Sequence, residues 1–314
     1  MMADGTVRAL TESHAKPMPK MHADEIDIDA SLVRRLLAEQ LPRWADLPLV
    51  RVESSGTDNA LFRLGADKVV RLPRIAGARG QIEKEFRWLP MLAPHLPLAV
   101  PMPLARGVPG EGFPWEWGVY SWVQGETATA ERIADARQAA SDLAGFIRAL
   151  WRIDPAGAPP SSRGVSLVRR DRYTRAAIGD LRGKLDTEAL TAAWEAAVAV
   201  PPFEGSPVWI HGDLYDGNLL VDHGRLSAVI DFGVAGIGDP AADLIVAWSQ
   251  FSGEARDVLR EELDVDGDTW ARGRGWALSV ALIAIPYYET TNPVMVANAR
   301  RRIEDVLADH ASGA

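Results

Sequence analysis

Two polar clusters mounted on short apolar segments constrain this chain more than anything else in it. The first is His211-Gly212-Asp213-Leu214-Tyr215-Asp216-Gly217-Asn218; the second lies within Val229-Ile230-Asp231-Phe232-Gly233, eighteen residues beyond Asp213. Val208-Trp209-Ile210, Leu219-Leu220-Val221 and Ala228-Val229-Ile230 bracket them and read as short β pieces. A rigid β frame of this kind presents Asp213, Asn218 and Asp231 at loop ends. Asp, Asn and Gly are common turn formers, so either cluster alone reads as a turn. Together they offer one carboxylate that can take a hydroxyl proton and two oxygen donors suited to a hard cation. Phosphoryl transfer asks for that set.

With His211-Gly212-Asp213 to Asn218, Ile230-Asp231-Phe232-Gly233 and Gly238-Asp239-Pro240-Ala241-Ala242-Asp243-Leu244 in view, the chain resembles the aminoglycoside phosphotransferase family, which shares the protein-kinase-like fold. The resemblance covers roughly residues 30–310, and its specific part is 208–244. Gly212 stands where protein kinases usually carry Arg, which favours the small-molecule branch. The resemblance implies an α+β fold, with a small β-rich N-lobe over 26–123 that binds the nucleotide and a larger, mainly helical C-lobe over 124–314 that carries the catalytic loop and the acceptor. It implies Asp213 as catalytic base or orienting carboxylate, Asn218 and Asp231 as Mg²⁺ ligands, and ATP or GTP as co-substrate. His211 reads as a brace, and Asp239 and Asp243 as structural caps and loop ties.

Residues 1–25 read as a flexible leader. Asp29-Ala30-Ser31 then offers caps for a helix with Leu32, Val33, Leu36, Leu37 and Leu41 at helical spacing. Strand-like pieces follow at Leu49–Glu53, Ala60–Leu64 and Lys68–Leu72, then a helix over Gly80–Leu92, a Pro-rich passage over 94–109 and a strand over Trp117–Val123. Ser54-Ser55-Gly56-Thr57-Asp58-Asn59 reads either as a plain hairpin turn or, given the downstream loop, as a phosphate cradle centred on Gly56. The resemblance calls for a cation on the next strand paired to a helix Glu. Strand alternation puts Arg71 on the face of Val69, opposite Lys68 and Val70. Arg71 therefore fits better than Lys68, although the usual residue is Lys. Glu85 fits as its partner, with Glu83 as runner-up. The segment Tyr120–Gly125 resembles the family's hinge, where the main chain around Ser121 and Val123 would meet the adenine.

The C-terminal part reads as helices over Thr129–Ile153, Asp186–Val200, Pro240–Phe251, Gly253–Leu263, Trp270–Ile285 and Asn292–Asp309. All of the net charge of −9 falls there: residues 1–123 hold 15 basic and 15 acidic residues, and residues 124–314 hold 19 and 28. Such a balance argues against nucleic acid as a partner. It suits a cationic acceptor, although acidic surfaces also serve solubility. Asp268, Trp270 and Glu289 are the candidate acceptor contacts, through charge-assisted hydrogen bonds and ring stacking. The same stretch reads as an inter-helix loop with an Asp cap. The chain has no Cys, which excludes disulfides and thiolate chemistry. No apolar run reaches the roughly 20 residues of a membrane span, so a soluble cytoplasmic protein is expected. The reading is a phosphotransferase acting on an alcohol group of an aminoglycoside-type antibiotic. Kinases of macrolides, other natural products or metabolite alcohols, and an inactive kinase-like nucleotide-binding module, are the alternatives. One motif His with no second nearby makes a zinc hydrolase a poor fit.

Overall fold

The computed structural model describes residues 25–52 and 58–312. The leader read over 1–25, save Glu25, and the loop residues around Gly56 lie outside the described residues.

Asp29 Oδ1 accepts the N–H of Leu32 at 2.7 Å and starts helix α1 (Ala30–Gln40), whose Leu32, Val33, Leu36 and Leu37 are buried. Strands β1 (Leu49–Arg51), β2 (Asn59–Leu64) and β3 (Lys68–Pro73) follow, then α2 (Gln81–Leu92), β4 (Pro103–Gly107) and β5 (Trp117–Ser121). The strands form one antiparallel sheet in the order β1-β2-β3-β5-β4. Pleating sorts the residues of β3: Val70 and Leu72 join Leu36, Phe62 and Trp117 in the small-lobe core, while Val69 and Arg71 face the cleft between the lobes.

The second part contains β6 (Glu126–Thr127), α3 (Ala136–Trp151), α4 (Asp171–Asp180), α5 (Thr187–Ala199), β7 (Val208–Ile210), β8 (Leu219–Asp222), β9 (Arg225–Val229) and β10 (Gly236–Gly238). Helices α6 (Val246–Ser249), α7 (Gly253–Leu263), α8 (Gly267–Tyr288) and α9 (Pro293–Ala311) complete it. Two small antiparallel sheets, β6-β8-β9 and β7-β10, lie within this helical lobe. The first polar cluster connects β7 to β8 and the second connects β9 to β10, so both loops are anchored at each end. This is the protein-kinase-like arrangement, an antiparallel N-lobe sheet above a helical C-lobe.

Helix α2 packs with the large lobe. Ile82, Leu89 and Leu92 belong to the same apolar cluster as Leu143, Trp209 and Phe232. Trp88 meets Trp209 edge-on, with ring centroids 5.2 Å apart. The helix that carries Glu85 is thus gripped from below while its charged face meets β3.

Several elements differ from the sequence expectation. The helix expected from Thr129 starts at Ala136, because Asp135 Oδ1 accepts the N–H groups of Arg137 and Gln138 at 3.0 and 3.1 Å. The segment Pro240–Phe251 divides into a 3₁₀ stretch, Pro240–Ile245, and the short α6. The Pro-rich passage hides β4, an edge strand, where the missing N–H of Pro103 is tolerated. Helix α4 was not foreseen, since only Thr174, Ala177 and Ile178 are buried along its polar length. Among the described residues no helix is long and apolar enough to cross a membrane.

Candidate active site

The loop after β7 is built around Gly212, whose φ of +77° places it in the left-handed region. A side chain here would bring its Cβ within 3.0 Å of Arg163 Cβ. The Gly212 N–H donates to Asp243 Oδ1 at 2.7 Å, and Trp151 Nε1 donates to the other Asp243 oxygen at 3.0 Å. Asp243 is fully buried. Burial pushes its carboxyl up to about 7, against the pull of the Gly212, Trp151 and His211 N–H groups. Asp239 caps the 3₁₀ stretch and pairs with Arg272 at 2.8 Å. Both acids are structural ties.

His211 is also fully buried. Its Nδ1 accepts the N–H of Asp213 at 3.3 Å, which leaves Nε2 to donate to the Ile230 carbonyl at 3.0 Å. Burial pushes its pKa below the ordinary imidazole value. One side chain therefore braces both loops, and it packs edge-on against Phe232 at 4.7 Å.

Asn218 Nδ2 donates to the Asp213 carbonyl at 2.8 Å and to Asp213 Oδ2 at 3.2 Å. The Ile230 N–H donates to the Asn218 carbonyl at 2.9 Å and joins the two loops. Asp231 has φ +64°, a left-handed turn that suits Asp better than most residues. Its Oδ1 accepts from Arg71 Nη2 at 2.8 Å and from the Gly233 N–H at 3.3 Å. Desolvation would raise this carboxyl, but Arg71 and then His211 outweigh it and hold the group below the usual carboxylate range. Among the described residues, Asn218 Oδ1 and Asp231 Oδ2 take no hydrogen bond. An amide oxygen and a carboxylate oxygen left open in this way are donors that Mg²⁺ accepts.

From the small lobe, Arg71 Nη1 bonds Glu85 Oε1 at 2.6 Å. Gln81 Oε1 accepts from Arg71 Nη2 at 3.2 Å, and the Tyr120 hydroxyl donates to Glu85 Oε2 at 2.8 Å. In the hinge, Ser121 Oγ accepts from the Met102 N–H and the Ser121 N–H donates to the Met102 carbonyl, both at 2.8 Å. The Trp122 N–H donates to Asp67 O at 2.8 Å. The Val123 N–H makes no hydrogen bond among the described residues. A cleft of about 450 Å³ runs between the lobes, lined by Val69, Arg71, Val123, Asn218, Leu220 and Asp231 among others. Arg71, Glu85, Ser121, Val123, Asn218 and Asp231 thus all border one cavity, with Asp213 held beside it by Asn218.

The profile of the phosphotransferase enzyme family matches residues 49–276, which include the five-stranded sheet, the cleft and both loops. The chain belongs to the phosphotransferase enzyme family. It is 26% identical over 189 residues to the uncharacterized protein YcbJ of Bacillus subtilis, covering 58% of each chain. It is 28% identical over 166 residues to an aminoglycoside 3'-phosphotransferase of Salmonella typhimurium, covering 48% of this chain and 59% of that one. The matches span less than two thirds of either relative's length. The fold is similar to that of the GDP and kanamycin complex of APH(2")-IIia, with a TM-score of 0.70 at 20% identity over 88% of this chain and 98% of that one.

In this member of the phosphotransferase enzyme family one of the three residues expected at the acceptor lies in the core. Trp270 is a correction: its ring is 2% exposed and packs against Trp248 at 4.8 Å with Arg260 over it at 5.0 Å, so it serves the core. Asp268 lies in the first turn of α8, behind the cap at Asp266. That end of α8 runs beside the end of α9, since Arg274 pairs with Asp309 at 3.0 Å. The loop 211–218 meets α9, where Asn298 Nδ2 donates to Asp216 at 3.3 Å. Glu289, past the opposite end of α8, pairs with Lys184. Two arginines lie beside Asp213. Arg163 Nη2 is 3.6 Å from Asp213 Oδ1, and Arg302 is within electrostatic range of Asp213, Asp216 and Tyr215. Isolated arginines on a loop and a helix carry no motif, and only the fold brings them together.

Proposed function

We propose that the protein transfers the γ-phosphoryl group of ATP or GTP to a hydroxyl of a small molecule, with Asp213 as the catalytic carboxylate. The observation that carries this reading is that Asn218 fixes Asp213 through one oxygen while Asn218 Oδ1 and Asp231 Oδ2 stay open beside the cleft. The family membership supports it, as do the aminoglycoside phosphotransferase relative and the neighbour that holds GDP and kanamycin.

In the reaction the acceptor oxygen forms a bond to the γ-phosphorus as the bond from that phosphorus to the β–γ bridging oxygen breaks, leaving a nucleoside diphosphate. The hydroxyl proton passes to Asp213. Mg²⁺ held by Asn218 and Asp231 would supply charge neutralisation at the phosphates when bound. Arg71 adds a fixed cation from the small lobe, kept in place by Glu85. The open Val123 N–H and the main chain at Ser121 suit the base of the nucleotide.

Aminoglycosides, macrolides and simple metabolite alcohols, each offered with ATP or GTP and Mg²⁺, test the reading. Acceptor-dependent release of nucleoside diphosphate is expected for at least one class. Nucleotide binding with no acceptor-dependent turnover would favour a kinase-like binding module instead.

A further inference from the structure

Arginines stand next to Asp213 although the C-lobe as a whole is acidic. Arg302, on α9, is 6% exposed. Its Nε is buried with no hydrogen-bond partner, and among the described residues its guanidinium makes no hydrogen bond and no ion pair. A buried guanidinium whose N–H groups find no acceptor is costly, and a protein rarely keeps one without a use for those donors. Arg302 faces Asp213, Asp216, Tyr215 and Arg163. Asp216 already accepts from Asn298 and lies 4.0 Å from Arg301.

Arg163 is built into the same place. Its N–H donates to Ser161 Oγ at 3.1 Å, and Ser161 Oγ donates to the Val234 carbonyl at 2.8 Å, which pins the loop against the strand pair β7-β10. Its side chain passes over Gly212 to reach Asp213 Oδ1, the oxygen that Asn218 does not hold. Behind it Arg170 bonds Ser279 through Nε at 3.1 Å and lies over the Trp276 ring at 5.2 Å, with no carboxylate partner among the described residues. The ion pair to Asp213 is the only one these three guanidiniums make among the described residues, and Asp213 is the group the acceptor hydroxyl needs.

We propose that the acceptor is an anionic alcohol, a hydroxyl compound that also carries a carboxylate or phosphate group, and that Arg163 and Arg302 hold its anion beside Asp213. This rests on the phosphotransferase reading above for the word acceptor; the anion site itself does not. Planar guanidiniums match carboxylate and phosphate oxygens two at a time. An ammonium group in the same place would meet the like charges of Arg163 and Arg302, whose guanidiniums already stand against the Asp213 and Asp216 carboxylates. The lobe's overall −9 is spread over an exposed surface and screened beyond about 8–10 Å, so the adjacent arginines decide.

The test has two arms. In the first, protein saturated with Mg²⁺ and a non-hydrolysable ATP analogue is titrated with sodium sulfate at constant ionic strength and followed by calorimetry. Saturable binding is expected, weakened at least tenfold by Arg302→Gln and by Arg163→Gln. Arg163 lies on a loop, so its variant keeps the test open if Arg302→Gln fails to fold, and analogue binding reports folding in both. No sulfate binding, or binding that neither variant weakens, overturns the anion site. In the second arm, glucuronate and glucose 6-phosphate are compared with glucose and glucosamine as acceptors of phosphate from ATP. The anionic pair is expected to show at least tenfold higher kcat/KM, with the preference collapsing in Arg302→Gln. A preference for glucosamine overturns the charge assignment and leaves the kinase reading standing. Sulfate binding that depends on Arg302, without Asp213-dependent transfer to any acceptor, counts against the kinase reading alone.

Discussion

Arg71 bonds Glu85 through one Nη at 2.6 Å and Asp231 through the other at 2.8 Å, so a single guanidinium ties the small-lobe helix to the large-lobe loop. A Lys at this position has one charged nitrogen and no fork. The substitution of Arg for the expected Lys therefore gives the cleft a bridge between its two walls.

That bridge predicts a separation of stability from function. Glu85 is 2% exposed, so Arg71→Met leaves a buried carboxylate without its cation and should cost about 3–5 kcal/mol in denaturant unfolding. Adding Glu85→Gln removes the orphan charge while keeping an acceptor for Tyr120. The double variant should recover most of the lost stability and still fail to bind nucleotide. Recovery of both would show that Arg71 serves the fold only.

Gly212→Ala should leave nucleotide affinity near wild type and lower kcat by about tenfold to a hundredfold, because small displacements of a catalytic group are expensive. Its φ of +77° and the 3.0 Å approach to Arg163 both oppose a Cβ. Unfolding should show a cost of about 1–2 kcal/mol. An unchanged kcat would mean that the loop tolerates the shift and does not set the position of Asp213.

The pH dependence of stability should carry the mark of Asp243. Between its ordinary value of 3.8 and about 7 the folded state keeps a proton that the unfolded state has given up. Low pH therefore favours the fold at this site, and that advantage is lost as pH rises to about 7, at up to about 1.4 kcal/mol per pH unit. His211 acts oppositely: burial lowers its pKa, so below about 6.5 the unfolded state gains a proton the folded state refuses. Asp243→Asn retains an acceptor for the Gly212 N–H and isolates the first effect. The unfolding free energy of wild type minus that of the variant should fall from pH 5 to pH 7.5, and a flat difference would contradict the burial argument.

The clusters 211–218 and 229–233 were legible because phosphoryl transfer needs those oxygen donors and because the flanking apolar triplets could only be short strands. Strand alternation also placed Arg71 on the correct face, since Val70 and Leu72 had to reach the small-lobe core. Helix ends were read less well where a cap lay inside a plausible helical run, as Asp135 does. Trp270 failed for a physical reason: beside an acidic loop a Trp reads equally as a stacking ring or as core, and burial decides only once α6 and α7 pack against α8. The arginines were invisible for another. Arg163 and Arg302 are far apart in the chain, and net charge averages over surface that no ligand touches.

Asp213→Asn is the most direct measurement of the central claim. Asparagine keeps the size and an oxygen for Asn218 but cannot take the hydroxyl proton. Single-turnover phosphate transfer to the best acceptor should fall by about 10²–10⁴-fold, with nucleotide affinity within about threefold of wild type. Transfer retained within tenfold by a folded, nucleotide-binding variant would contradict the assignment of Asp213 as the catalytic carboxylate.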